Sequence, residues 1–182
     1  MGHFYDIKLK QKISLKDMKS FLIFSLRDVN FKAELFESYN DLNLNSALIH
    51  FSLTWYQCVS YITEDHYGNI EKVCLRLGDI VTIQEVEYDE SYVTIQSIFQ
   101  HKGNDDKFYV FVVITWFEYI NQEHVVLECP IYRLNDKKWR RVFPITVIDK
   151  AHKAHFIRRT VDDNYTNRDN YWFKNPFYFT AI

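Results

Sequence analysis

Residues 77–119 read LGDIVTIQEVEYDESYVTIQSIFQHKGNDDKFYVFVVITWFEY, and this stretch decides the fold. It holds three apolar runs rich in β-branched residues, with polar turns between them. The third run, residues 108–116, is too apolar to face water on both sides. Gly103 and Asn104 lie at the centre of the polar segment before it, as the loop of a hairpin requires. The stretch therefore predicts a β-meander whose aromatic residues collect at strand ends, where they can wall a recognition pocket.

Four short motifs follow one another within residues 51–157. They are an aromatic strand leading to a Leu-Gly-Asp step, a Tyr-Val strand, a strand ending in Trp-Phe, and a Pro-Ile segment. Their residues are Trp55-Tyr56 through Tyr67-Gly68-Asn69 to residues 77–81, then 92–98, then 112–117, and finally 144–148 with 153–157. In this order the motifs resemble those of the bromo-adjacent homology (BAH) domain family. The resemblance implies a mostly β fold with a β-barrel-like core.

The chain divides into three predicted parts, which are an N-terminal extension over residues 1–46, a BAH-like domain over 47–160 and a C-terminal tail over 161–182. The extension is predicted to be partly helical, because Ser14 can cap a helix and apolar residues recur at helical spacing over residues 15–26. A weaker helical pattern covers residues 31–39. The tail is rich in aromatic residues, so we expect it to pack on the domain.

The composition is that of a β-rich domain with a well-filled core. The 182 residues include 15 Phe, 13 Tyr and 4 Trp. Cys58, Cys74 and Cys129 are an odd number of cysteines without a Cys-x-x-Cys pair, which argues against a disulfide framework and against a structural zinc site. No apolar run approaches the roughly 20 residues of a membrane span. The sequence therefore predicts neither a membrane segment nor a cofactor, and free thiols suit the cytosol or nucleus.

The BAH resemblance also implies a candidate site. Several family members read methylated lysine with an aromatic cage, in which ring faces hold the methylated ammonium by cation–π attraction. Carried over, the cage positions are Tyr92, Trp116 and Glu118, with Tyr119 as a replacement wall. Glu118 departs from the family pattern, because an aromatic residue is expected there. A carboxylate at this position favours a lower methylation state, since it accepts a hydrogen bond from a remaining N–H.

A basic segment begins after the last predicted strand of the meander. Lys137, Lys138, Arg140 and Arg141 surround Trp139, and this mixture suits contact with DNA phosphates or with a nucleosome surface. The alternative is a solvated loop that binds nothing, because runs of charge usually face water.

Signals for catalysis or metal binding are weak. His152 and His155 are three residues apart, as two ligands on one helical face would be, but further ligands are missing. Cys129 with His124 or His152 and with Asp149 would make a hydrolytic triad, yet no nucleophile motif surrounds Cys129. Four glycines leave no phosphate-binding loop. We therefore expect a protein that is not an enzyme and that holds no metal.

Two functions follow from these observations. The first is a nuclear, chromatin-associated recognition domain that binds a histone tail, a nucleosome or other chromatin proteins, with an incomplete methyl-lysine cage. The second is a structural protein–protein interaction module in a larger assembly, without a pocket for a modified residue. Glu118 discriminates between them, because three intact aromatic walls would favour the first.

Overall fold

A computed structural model describes residues 8–12, 31–44, 53–64, 68, 70–84, 90–135, 140–158 and 171–175. These residues form one α-helix, one 3-10 turn and eleven strands, and every strand pairing is antiparallel. The prediction of a mostly β protein is therefore confirmed. The helix predicted over residues 15–26 and the basic turn at 136–138 lie outside the described residues.

The elements follow one another along the chain in a simple order. The helix, α1, spans Phe31–Asp41, and the 3-10 turn spans Ile145–Val147. The strands are β1 Lys8–Lys12, β2 Leu53–Glu64, β3 Ile70–Arg76, β4 Ile80–Gln84, β5 Glu90–Lys102, β6 Phe108–Glu123, β7 Pro130–Asn135, β8 Val142–Pro144, β9 Ile148–Lys153, β10 Phe156–Arg158 and β11 Tyr171–Lys174. The helical pattern at residues 31–39 thus corresponds to α1.

The β5–β6 hairpin is the centre of the sheet, as residues 77–119 predict. Its loop is closed by hydrogen bonds from the Gly103 N–H to the Lys107 carbonyl, 2.8 Å, and from the Asp106 N–H to the Gly103 carbonyl, 3.2 Å. A Cβ at Gly103 would lie 2.7 Å from the Asp105 carboxylate and 3.0 Å from the Tyr109 ring, so a larger residue there would have to displace these two side chains. The strands pair from Lys102 with Phe108 to Val93 with Trp116.

The sheet runs in the order β1, β2, β5, β6, β7, β11, β10, with β3, β4, β8 and β9 paired to its members. β1 and β10 stand at the two ends of this order, so the sheet is open and is not closed into a barrel. It is nevertheless strongly curled. Tyr92 on β5 and Phe156 on β10 are four strands apart, roughly 19 Å in a flat sheet, yet their ring centroids lie 5.4 Å apart.

Alternation along β6 assigns its side chains to two faces. The even-numbered residues Val110, Val112, Ile114 and Trp116 belong to the main core, which also holds side chains of β2, β3, β4, β5 and the 145–148 segment. The odd-numbered residues point to the other face, which is covered in two different ways. Phe111 and Val113 pack under α1 in what we call the helix-covered cluster, and Phe117 packs with Tyr92 and Phe156 in the strand-covered cluster.

The terminal parts of the chain pack directly on this sheet. β1 pairs with β2, and Leu35 and Tyr39 of α1 are fully buried in the helix-covered cluster. β11 lies between β7 and β10, so the described part of the aromatic tail is a strand of the same sheet. The division of the chain at residues 46 and 160 stays a prediction.

Candidate binding cleft

The two central cage positions inferred from the BAH resemblance lie on opposite faces of the sheet. Val93 pairs with Trp116, so Trp116 shares the face of Val93, and Tyr92, which precedes Val93, points the other way. Trp116 is buried in the main core, and its indole N–H donates a 2.7 Å hydrogen bond to the Arg140 carbonyl. Tyr92 is buried in the strand-covered cluster. The two rings are 3% and 6% exposed, so they cannot wall one open pocket.

The remaining two positions are divided in the same way. Glu118 lies on the face of Trp116 and accepts hydrogen bonds from Arg133, 3.2 Å, and from Asn135, 3.4 Å. Tyr119 lies on the opposite face, where its ring centroid is 5.6 Å from that of Tyr132. This placement corrects the expectation that Tyr92, Trp116, Glu118 and Tyr119 surround one ammonium group. Strand alternation separates them in pairs.

Tyr92 does contact an amine, but the amine belongs to the same chain. The Lys174 Nζ lies 4.3 Å from the centroid of the Tyr92 ring and also contacts its hydroxyl. This internal cation–π contact joins β11 to β5 across the curled sheet. The Tyr92 ring face is therefore taken up by Lys174.

The described part of the basic segment is buried rather than exposed. Lys137 and Lys138 lie outside the described residues, whereas Arg140 and Arg141 are buried, at 6% and 7% exposure. The Arg140 guanidinium donates to Asp41 at 2.6 Å and to the Ser38 hydroxyl at 3.1 Å, and it lies over the Phe143 ring. This placement corrects the expectation that Arg140 and Arg141 contact nucleic acid. Arg140 instead fastens α1 to the sheet.

A cleft of about 520 Å³ opens beside the strand-covered cluster. Its apolar lining consists of Ile80, Phe117, Leu134, Ala154, Phe156 and Trp172, and its polar lining includes Asp79, Thr94, Gln96, Lys153 and His155. Residues from seven strands and from the links between them therefore meet at one place, because the sheet curls back on itself there.

The Leu-Gly-Asp step and a β-bulge shape the floor of the cleft. Gly78 has φ +84°, which a residue with a side chain rarely adopts, and its N–H donates to the Ile95 carbonyl at 2.8 Å. The Asp79 carbonyl accepts from the Ile95 N–H at 2.9 Å. The register shift between Ile95 and Ser97 inserts Gln96, which lines the cleft.

The wall of the cleft is aromatic. The Phe117 and Phe156 rings stack with centroids 4.5 Å apart, and Trp172 meets Phe117 edge to face at 5.6 Å. The indole N–H of Trp172 is buried and has no acceptor among the described residues. Such a donor costs about 1–3 kcal/mol while it is unpaired.

One ion pair lies at the rim. The Lys153 Nζ is 2.7 Å from the Asp79 carboxylate, which also accepts a 2.7 Å bond from the Arg76 backbone N–H. The two side chains are 37% and 19% exposed. Because they neutralise each other, the cleft presents aromatic surface with a small polar edge rather than a strong field of one sign.

The other candidate groups are not brought together as a reactive site. His155 lines the cleft, whereas the side chains of His152 and Asp149 are not described. Cys129 is buried, and its backbone carbonyl accepts a 2.9 Å hydrogen bond from the His124 N–H. In the described part of the chain, no three His, Cys, Asp or Glu residues are grouped to hold a metal ion. Nor does a helix in that part have the length and apolar character to span a membrane.

The described residues thus define a mostly β protein, built on one open antiparallel sheet, with an aromatic cleft at one end. The sequence matches no protein-family model, and no curated protein matches it.

Sequence reasoning missed the aromatic wall of the cleft. The Trp116-Phe117 step was identified, but strand alternation sends Phe117, not Trp116, to the cleft face. Phe156 and Trp172 come from segments that only the curled sheet brings near β6. A usable signal was present in Phe117 itself, because adjacent aromatic residues on a strand must point to opposite faces.

Proposed function

We propose that this chain is a protein-recognition domain that binds a segment of a partner protein in the aromatic cleft. The observation that carries the proposal is the stacked and edge-to-face wall of Phe117, Phe156 and Trp172 beside a rim that is neutral overall. Binding sites are typically clefts of about 300–1,000 Å³ with apolar and aromatic walls and a few polar groups. The volume of about 520 Å³ lies in that range.

The lining favours an apolar side chain presented on an extended segment. Leu134, Ile80 and the three rings offer surface for such a side chain. Thr94, Gln96 and His155 offer hydrogen-bonding groups to the backbone that carries it. The aromatic faces of the wall supply binding energy, which supports recognition.

The BAH resemblance supplies the class of partner within this proposal. It makes a histone tail, a nucleosome or another chromatin protein the first partner to test, and the nucleus the place of action. Contact with DNA phosphates through Lys137 and Lys138 belongs to the same proposal. The barrel-like BAH core belongs to it as well, since the curl of the open sheet is compatible with such a relationship.

The test is a binding screen of the full chain against arrayed histone-tail peptides, both unmodified and lysine-methylated. Ala154 is a half-buried residue in the lining of the cleft. Ala154→Trp therefore places an indole ring in the cleft and shortens no lining side chain. The matched control is Ile157→Trp, which adds the same bulk at a 46% exposed position on the other face of β10.

We expect at least one peptide to bind and Ala154→Trp to weaken that binding about tenfold or more, which corresponds to about 1.4 kcal/mol. Ile157→Trp should leave it unchanged. If no peptide binds, or if both variants weaken binding equally, the cleft is not the recognition site. The structural module without a pocket then becomes the better description.

A further inference from the structure

One edge of β10 lies beside the cleft, at Phe156, and we call it the Phe156 edge. β10 is the last strand in the order of the sheet, and among the described strands only β11 pairs with it. Phe156 is the first residue of β10, and its ring belongs to the wall of the cleft. The direction of its backbone groups therefore decides whether a ligand in the cleft can also bond the sheet.

The hydrogen bonds of the preceding residues give that direction. The Ala154 N–H donates to the Ile80 carbonyl of β4 at 2.9 Å. The next carbonyl along the chain, that of His155, accepts from the Asn175 N–H, just after β11, at 2.9 Å. Phe156 comes next in the register with β11, and bonded and non-bonded positions alternate along an antiparallel pair. The Phe156 N–H and carbonyl therefore point away from β11, towards the side of β4.

β4 does not continue alongside Phe156. The two residues before β4 bond β5 instead, since the Gly78 N–H donates to the Ile95 carbonyl at 2.8 Å and the Asp79 carbonyl accepts from the Ile95 N–H at 2.9 Å. In the described part of the chain, neither a strand pairing nor a loop hydrogen bond occupies this side of Phe156. Gly78, Asp79 and Phe156 all line the cleft, so the Phe156 edge faces it.

A segment that bonds this edge has to be extended. The backbone groups of a helix bond one another inside the helix, whereas a strand directs its N–H and carbonyl groups sideways to a neighbour. Addition of a strand to an exposed sheet edge is a recurring mode of peptide recognition. In that mode the main-chain hydrogen bonds supply affinity, and a pocket for alternate side chains supplies specificity.

Register determines which side chain of such a segment enters the cleft. Residues directly opposite each other on neighbouring strands point to the same face. The residue opposite Phe156 would therefore lie beside the Phe156 ring, which stacks on Phe117 with centroids 4.5 Å apart. The residues before and after it point to the other face, where Ile157 is half exposed. The edge thus favours a segment with one apolar side chain between two that face away from the cleft.

We propose that a partner protein adds an extended segment along the Phe156 edge of β10 and places one apolar or aromatic side chain beside Phe156 in the cleft. The inference rests on the cleft of the proposed function and names the form of its ligand. Main-chain hydrogen bonds do not depend on the neighbouring side chains, so the remaining positions of the segment are read weakly. Proline is disfavoured opposite Phe156, because it has no N–H to donate.

The first experiment needs no ligand. Amide hydrogen exchange, followed by NMR on the full chain, compares Phe156 with Ile157, which lies opposite Phe173 at a bonded position of β10 and β11. We expect the Phe156 amide to exchange about tenfold faster or more than that of Ile157, because it has no strand partner. Equal protection of the two amides would show that the edge is already covered and would overturn the proposal.

The second experiment uses short random linear peptides displayed on phage, selected on the wild-type chain and counter-selected on Ala154→Trp. The tightest binder is synthesised with an N-methyl group at each backbone nitrogen in turn. Alternate N–H groups of an added strand bond the edge. We therefore expect N-methylation at every second residue near the apolar anchor to weaken binding about tenfold. N-methylation at the residues between should leave binding unchanged.

Exchange in the complex separates this inference from the proposed function. Saturation with the unmethylated peptide should slow the Phe156 amide about tenfold or more and leave that of Ile157 unchanged. If a peptide binds in an Ala154-sensitive way without the alternation and without protection of Phe156, the recognition site stands and strand addition fails. If no peptide distinguishes the wild type from Ala154→Trp, both proposals fail.

Discussion

The two ends of the β5–β6 hairpin carry the same kind of surface but are covered differently. At one end α1 lies over Phe99, Phe111 and Val113, and at the other end β10 and β11 curl over Tyr92 and Phe117. The helix-covered end is sealed by polar contacts, whereas the strand-covered end leaves a cleft of about 520 Å³. One face of one hairpin is thus core at one end and a candidate site at the other.

The seal at the helix-covered end is a set of long-range hydrogen bonds. The Glu34 carboxylate accepts from the backbone N–H groups of Arg141, 2.7 Å, and Val142, 2.8 Å. Arg140 reaches back to Asp41. The strand-covered end has the Trp172 N–H, which finds no acceptor among the described residues. This difference indicates that the candidate site lies at the strand-covered end, where the elements packed on the sheet cover it incompletely.

The largest expected effect comes from removing the buried ion of the helix-covered end. Arg140→Ala should destabilise the protein by about 3 kcal/mol, because it removes a charged group that bonds Asp41, Ser38 and the Val142 carbonyl away from water. Urea unfolding of the full chain measures this loss.

The matching ion pair at the cleft is Lys153 with Asp79. Lys153→Ala should cost less than about 1 kcal/mol, since partly exposed pairs contribute little. Similar losses of unfolding free energy for Arg140→Ala and Lys153→Ala would contradict the difference between the helix-covered end and the strand-covered end.

A second effect distinguishes the two ends through tyrosine hydroxyls. The Tyr39 hydroxyl and the His101 Nδ1 lie 2.5 Å apart, and both residues are fully buried. Tyr39→Phe removes the hydroxyl without removing the ring, and we expect a loss of about 1–3 kcal/mol because a buried polar partner is left behind. Thermal or urea unfolding measures it.

The control at the other end is Tyr119→Phe. The Tyr119 side chain is 46% exposed, so water can replace what its hydroxyl loses, and the change should stay within about 0.5 kcal/mol. A large loss of unfolding free energy for Tyr119→Phe would indicate a buried hydrogen-bond network at the strand-covered end.

Local chemistry in the sequence determined the hairpin but not the site. The turn at Gly103 and the apolar run of β6 predicted a central antiparallel pair, since both signals lie within a few residues of their effect. The charge of Arg140 was predicted to contact nucleic acid, but its side chain is buried and its guanidinium bonds Asp41, which lies 99 residues earlier in the chain. A sequence pattern shows charge, but it does not show which distant carboxylate buries it.

The cleft depended on long-range geometry in the same way. Phe156 and Trp172 reach Phe117 only because the sheet curls. The cage inferred from the BAH resemblance placed Tyr92 and Trp116 together, although the register of β5 and β6 separates them by face. Register was the missing information, since it follows from pairing and not from composition.

A third, smaller effect tests how the strand-covered end is held closed. Lys174→Met keeps the apolar stem but removes the ammonium that lies over the Tyr92 ring. We expect a loss of about 0.5–1 kcal/mol in unfolding free energy, the range for a partly exposed cation–π contact. Lys174→Arg is the matched control, because it retains the cation and should retain most of the stability. Equal stability of all three proteins would show that β11 is held by its strand pairing alone.

The smallest effect concerns the exposed loop beside the helix-covered end. The Tyr109 hydroxyl donates a 2.7 Å hydrogen bond to Asp105, which lowers the pKa of that carboxyl below 3.8, while burial and the same bond raise the pKa of Tyr109 to about 12. A carboxyl whose pKa is lowered by folding adds stability above its unfolded pKa, and this stability is lost as the pH falls through the folded pKa. Tyr109→Phe should therefore raise the pKa of Asp105 towards 3.8 in an NMR titration. It should also flatten the acid limb of the stability curve slightly. Because Asp105 is solvent-exposed, the change in stability should be far smaller than that of Arg140→Ala, and an unchanged Asp105 titration would show that the carboxylate is held by the Lys107 contacts instead.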